Sequence, residues 1–248
     1  MSIISVINQK GGVAKTTTSI NIASSWSKRG KKVLLIDLDP QSSATHAIFG
    51  DKEFDNTVFD ILINRLSPEE AVVHSEAFDI DVIPSEIMLS GVDIQLAAHY
   101  GRERILKKAL ESIKRKYDVI IIDCSPSLGL LTVNALLASK DIIIPICPEY
   151  FSLKGIELIL ETLKNLRVGL GHKLNVQGIV ITRYRNRKVT NDVIKDVREK
   201  IGLNVFDSFI PDNISVEEAH HRHIPVHKYA PSSKGAKAYN ALSKEIKV

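Results

Sequence analysis

The sequence predicts an α/β protein with a mostly parallel, doubly wound β-sheet flanked by helices. Three observations carry this. Short runs rich in Ile and Val recur along the chain, near-continuous rather than alternating, as in strands buried on both faces. Longer segments with helical spacing separate these runs, and strand–helix alternation of this kind builds an open parallel sheet between helical layers. The 248 residues, 44% hydrophobic and 25% charged, fit one large domain spanning 1–248.

SIISVI (2–7) reads as the first strand. A Gly11-Gly12 turn follows, then a helix over TTTSINIASSWSKRG (16–30), stopped by Lys28, Arg29 and Gly30. KVLLID (32–37) is the second strand, and 50–56 and 67–80 read as surface excursions. RERILKKALESIKRK (102–116) has apolar residues at 105, 106, 109, 110 and 113, a helical stripe. YDVIIIDC (117–124), DIIIPIC (141–147) and VQGIVIT (176–182) are further strands. SLKGIELILETLKNL (152–166), with Ser152 as its cap, and SKGAKAYNALSKEI (233–246) are the remaining helices. Ligands of such sheets bind beyond the carboxyl ends of the strands, here just after Ile7, Asp37 and Asp123.

The first of these places holds INQKGGVAKTTTSIN (7–21). A phosphate loop of the G-x-x-x-x-G-K-[ST] type, ending in Lys15, wants glycine at 9 and 14; this chain has Gln9 and Ala14. The context nonetheless suits a P-loop NTPase: strand, glycine turn, helix opening at Lys15-Thr16-Thr17. Backbone N–H groups of Gly11, Gly12, Val13 and Ala14 would converge on an anion, aided by the helix N-terminus. Lys15 would reach the β- and γ-phosphates, and Thr16 would offer its hydroxyl to Mg²⁺. Ala14 would cost about 1–2 kcal/mol if its backbone must be left-handed. Asp123 ends a buried apolar run, where a carboxylate needs a partner or a metal. Asp39 stands at a strand end facing the loop, with Asp37 two residues earlier on the same side.

The net charge of +4 is uneven. Residues 1–124 hold 15 basic and 17 acidic side chains (−2), and residues 125–248 hold 18 and 12 (+6). A basic half hints at an anionic partner. No apolar run approaches the roughly 20 residues that span a bilayer, and no signal peptide precedes the first strand. Cys124 and Cys147 read as buried reduced thiols, which places the chain in the cytosol.

KGGVAKTT (10–17) resembles the deviant Walker A motif of the ParA/MinD family of ATPases. VLLIDLDPQSSAT (33–45) is similar to its second acidic motif and switch I, and VIIIDCSPSLGLLTVNAL (119–136) to its Walker B strand and switch II. FIPDNISVEEAHHRHIPVHKYAPSSKGAKAY (209–239) is similar to its C-terminal signature. The resemblance covers essentially the whole chain and points to the short chromosomal ParA (Soj) branch. It implies a cytoplasmic, nucleoid-associated bacterial Mg²⁺-ATPase with ATP and Mg²⁺ as cofactors and slow turnover. It also implies an ATP-bound sandwich dimer that binds DNA nonspecifically, and resetting by a ParB-like activator. Lys10 would reach across the dimer to the partner's phosphates. Asp39 would position the attacking water and stand near Mg²⁺. Asp37 would support Lys15 or the dimer contact. Asp123 would hold Mg²⁺, through water, or hold Thr16. Pro211 and Asn213 would lie by the adenine. Ser125 departs from a family proline, which implies a looser switch II.

The expected DNA-binding patch is RYRNRKVTNDVIKDVREK (183–200), with Arg183, Arg185, Arg187, Lys188, Lys195, Arg198 and Lys200, helped by Lys234 and Lys237. A solvated charged face is the plainer reading of such a run. Asp212 and Ser215 stand where the family often has basic residues. A MinD-like membrane role would need bulky apolar residues on a terminal amphipathic helix, and AYNALSKEIKV lacks Phe and Trp. An iron–sulfur role would need a cysteine pair at the dimer interface, which Cys124 and Cys147 do not match. The histidines at 220, 221, 223 and 227 invite zinc, but no cysteine or carboxylate at ligand spacing accompanies them.

Overall fold

The computed structural model describes residues 1–148 and 152–248; at Ser152 and Leu153, and at Val189, it describes the backbone alone. The cap expected at Ser152 therefore lies outside the described side chains.

Seven strands form one sheet: β1 (Ser2–Val6), β2 (Val33–Leu38), β3 (Val73–Ser75), β4 (Ile80–Ile83), β5 (Val119–Cys124), β6 (Asp141–Ile146) and β7 (Asn175–Ile181). Their spatial order is β3-β4-β2-β5-β1-β6-β7. All neighbours are parallel except β3 and β4, which pair antiparallel at one edge. The central strands β2, β5 and β6 are buried at every residue, as their unbroken apolar runs require.

The helices are α1 (Lys15–Ser27), α2 (Ser43–Phe49), α3 (Val58–Leu62), α4 (Val92–Gln95), α5 (Ile105–Leu110), α6 (Leu130–Ala138), α7 (Ser152–Leu170), α8 (Lys188–Asp196), α9 (Ile214–His221), α10 (Val226–Tyr229) and α11 (Lys234–Glu245). Two apolar cores lie on opposite sides of the sheet. One joins Leu34, Ile36, Ile120 and Ile122 to α3, α5, α6 and α7. The other joins Ile4, Val6, Leu35 and Ile121 to α1, α2, α9 and α11. Trp26 of α1 is fully buried and its indole N–H donates to the Ser243 carbonyl of α11 at 2.8 Å. This fastens the last helix to the one that follows the glycine turn.

Two expectations are corrected. Residues 67–80 are not a plain excursion: Ala71 and Phe78 are fully buried, and β3 and the start of β4 lie there. These strands are short and edge-lying, so they carry too little apolar pattern to stand out. The helix expected over 102–116 breaks into α5 between 3₁₀ turns at Arg102–Arg104 and Lys114–Lys116. Its apolar stripe is right, but Asn134 takes over its start, accepting from Leu106 N at 3.1 Å.

Candidate nucleotide site

β1 sits between β5 and β6, so the chain leaves the sheet there in opposite directions and opens a crevice at the strands' carboxyl ends. The loop after β1 crosses this crevice. Gly12 has φ +73° and Ala14 has φ +61°, so the backbone is left-handed at both positions. The strain anticipated at Ala14 is present, and α1 begins directly after it.

Two polar side chains outside the motif brace the loop. Asn8, buried, donates to Pro145 O at 2.7 Å and accepts from Lys10 N at 2.9 Å. The Thr182 hydroxyl, at the end of β7, lies 3.0 Å from both Val13 O and Ile146 O. Sequence reasoning passed over both, and their only signal was a small polar residue closing a buried strand.

Lys15 is buried, and its ammonium donates to Lys10 O at 3.3 Å across the loop. Burial lowers its pKa, and the carboxylates of Asp123 and Asp39 oppose that shift. Thr16 donates its hydroxyl to Asp123 at 2.7 Å, and Ser19, one helical turn on, donates to the other Asp123 oxygen at 2.8 Å. Ser19 was not anticipated. Asp123 is fully buried in register with Asp37 on β2. Burial, and then the neighbouring Asp37 charge, raise its carboxyl pKa to about 7. The Asp123 carboxylate and the Thr16 hydroxyl are oxygen donors of the kind a hard cation takes, and the Lys15 ammonium beside them suits a phosphate chain.

Asp37 is fully buried, and the bonds of its carboxylate run to the 40–45 segment rather than to Lys15. It accepts from Thr45 N at 2.8 Å and from the Thr45 hydroxyl at 2.7 Å. Ser85 N in turn donates to the Thr45 oxygen, and the Ser85 hydroxyl donates to Asp39 O at 2.7 Å. Asp37 thus pins the 40–45 segment and the backbone of Asp39. Burial raises its pKa to about 6 despite these bonds. Asp39 lies past the end of β2, almost buried, its carboxylate accepting from Gln41 N at 3.0 Å. Ser125 is buried, with its hydroxyl 3.1 Å from that of Ser127.

Beside the loop lies a cavity of about 240 Å³ walled by Gly12, Ala14, Thr17, Pro211, Asn213 and Tyr239, among others. Pro211 and Asn213 therefore sit against the glycine loop. The Asn213 side-chain oxygen is buried without a hydrogen-bond partner, an acceptor the fold leaves unused.

The basic segment is less uniform than its sequence. Arg185 donates through Nε and Nη2 to one Asp212 carboxylate oxygen, Arg198 lies 3.4 Å from Asp207, and Lys195 and Lys200 pair with Glu199 and Asp196 at 3.9 and 3.0 Å. Among the described residues, no carboxylate pairs with Arg183, Arg187 or Lys188. The four histidines disperse. His220, its pKa lowered to about 4 by burial, lies 3.5 Å from the Asn21 amide. His223 lies 3.3 Å from Ala47 O of α2, and half-buried His227 is also lowered to about 4. Among the described residues, no three His, Cys, Asp or Glu side chains converge as a metal-holding group.

A family model described as "AAA domain" matches residues 1–176. The sporulation initiation inhibitor protein Soj of Bacillus subtilis is 40% identical, over 98% of this chain and 97% of its own. The chromosome partitioning protein ParA of Caulobacter vibrioides is 38% identical, over 99% and 94%. A Mycobacterium smegmatis structure described as cobyrinic acid a,c-diamide synthase, with a bound ATP analogue and magnesium, superimposes with a TM-score of 0.88. It is 33% identical and is matched over 98% of this chain and 93% of its own. The two relatives and the solved structure each span nearly the whole chain. The chain belongs to the ParA/MinD family of P-loop ATPases, on its Soj-like branch.

Proposed function

We propose that this ATPase is a DNA-partition switch: two copies close on ATP, bind DNA without sequence preference, and let go when a ParB-like activator speeds hydrolysis. The observation that carries the reading is the Lys15–Thr16–Asp123 cluster under a left-handed loop, with Lys10 exposed.

Each residue has a task its position supports. Gly11 to Ala14 present backbone N–H groups to the phosphates, and Thr17 and Pro211 flank the nucleoside side. Asn213, on the cavity wall, would lie beside the base. Lys15 balances the β- and γ-phosphate charge from a desolvated position, where a cation is worth more than in water. Thr16 would hold Mg²⁺, with Asp123 and Asp39 behind it; the bound ion would neutralise charge on the phosphate oxygens. Asp39 orients the attacking water. Lys10 serves the partner's site, so that hydrolysis waits for dimerisation, as with a cation supplied in trans to phosphoryl transfer. Slow turnover alone suits a switch that must hold its bound state.

Phosphate neutralisation by Arg183, Arg187 and Lys188, with Arg185, Lys195 and Arg198 released from their pairs, supports the DNA role. A lipid surface is disfavoured, because Ala236, Tyr239 and Leu242 of α11 are buried against the core. Among the described residues no helix is long and apolar enough to cross a membrane. The test is duplex binding with ATP, ADP or no nucleotide across a salt series. Binding that needs ATP and weakens steeply with salt supports the reading; absent or nucleotide-independent binding refutes it.

A further inference from the structure

A second cavity, about 290 Å³, adjoins the nucleotide cavity and is walled by Cys147, Pro148, Arg183, Arg185, Arg187, Thr190 and Asp212. Arg183 and Asp212 wall both spaces. Three guanidinium groups around one concavity, with a single carboxylate among them, make a surplus of positive charge shaped for an anion. Guanidinium forks match phosphate oxygens in pairs.

The backbone is arranged to hold this basin. Arg183 takes a left-handed conformation at φ +49°, unusual for a bulky residue and found where structure forces it. Tyr184 N donates to Ile210 O at 2.9 Å, and Tyr184 bridges Pro211 in parallel fashion. That pairing carries Asp212 alongside Arg185. Asp212 then fills the Arg185 fork with its own carboxylate. The pair is half-exposed, a setting in which an ion pair exchanges readily for a better anion.

We propose that this three-arginine cavity is a phosphate-binding site separate from the glycine loop, and that Asp212 is its built-in competitor, occupying Arg185 until a phosphate displaces it. Asp212 immediately precedes Asn213, which walls the nucleotide cavity. A shift of the 211–213 backbone on nucleotide entry would therefore move the competitor. The phosphate comes from a DNA backbone or from a free polyphosphate. The DNA arm rests on the function proposed above; the polyphosphate arm does not.

The experiment uses the full chain saturated with Mg²⁺ and ADP, so that the glycine loop is filled. Binding of tripolyphosphate is measured by calorimetry, and binding of a DNA duplex, with ATP present instead, by anisotropy. Asp212→Asn should tighten at least one of them several-fold, Asp212→Glu should behave as wild type, and adding Arg187→Ala to Asp212→Asn should abolish the gain. A gain for DNA alone assigns the site to a nucleic-acid backbone; a gain for tripolyphosphate alone assigns it to a free anion. Wild-type DNA binding that Asp212→Asn leaves unchanged, with no tripolyphosphate bound, overturns the proposal and leaves the partition reading standing. No DNA binding in any variant, with tripolyphosphate gained, does the reverse. Thermal melts of each variant confirm folding.

Discussion

The loop end of β1 and the basic segment 183–200 are both cationic, yet the fold treats them differently. At the loop, Lys15 is buried, and the Asp123 carboxylate beside it is itself anchored by Thr16 and Ser19. At 183–200, Arg185, Lys195, Arg198 and Lys200 are solvent-facing and spend their charge on nearby acids. A desolvated charge has its partner dictated by the fold, because leaving it unpaired costs several kcal/mol. An exposed one picks whichever acid the surface offers, at little gain.

The sharpest break of this comparison is Lys15→Ala. Removing a buried cation from the phosphates should weaken ATP binding on the order of 100-fold or more, measurable by fluorescent-nucleotide titration. A loss below about threefold would mean that the loop's backbone does the binding alone.

Arg187→Ala probes the exposed region. It should lower the slope of log K against log salt for duplex DNA by about 0.9, one phosphate contact, while ATP affinity holds. Arg198→Ala, already paired with Asp207, should change the slope less.

The buried carboxylates predict a pH effect of defined sign. Asp37 has its pKa raised to about 6 in the fold, above its unfolded value. Between about pH 4 and pH 6 the unfolded chain ionises while the folded chain keeps the proton, so this group's contribution to stability falls as pH rises. Thermal melts of the nucleotide-free protein should therefore show a more negative stability slope for wild type than for Asp37→Asn across pH 4–7, a difference on the order of 2 kcal/mol. Parallel slopes would contradict the burial argument.

The smallest effect belongs to Ala14. Its left-handed backbone should let Ala14→Gly stabilise the protein by about 0.5–1 kcal/mol, read from denaturant midpoints.

The same contrast explains what the sequence made legible. Strands β1, β2, β5, β6 and β7 were readable within a residue or two, because burial on both faces demands unbroken Ile and Val. The Lys15, Thr16 and Asp123 cluster was readable because each member closes or opens a buried element at the crevice. Asn8, Ser19, Thr45 and Thr182 were not, since a small polar residue has many bland reasons to sit at an element's end. The charge of 183–200 was legible only in part. Its neutralising acids come from Asp207 and Asp212, beyond the segment, and from i,i+4 neighbours whose pairing a charge sum hides. Residues 67–80 were misread because edge strands of three or four residues leave no period to see.

The account turns on Lys10 acting on the partner's nucleotide, and subunit mixing tests it. Lys10→Ala and Asp39→Ala proteins should each be inactive as ATPases. In an equal mixture the mixed dimers hold one site with an intact Asp39 and a Lys10 lent by the other copy, so activity should return to about a quarter of wild type if pairing is random. If Lys10 serves its own site, every site in the mixture lacks one residue, and a mixture as inactive as its components would contradict the account.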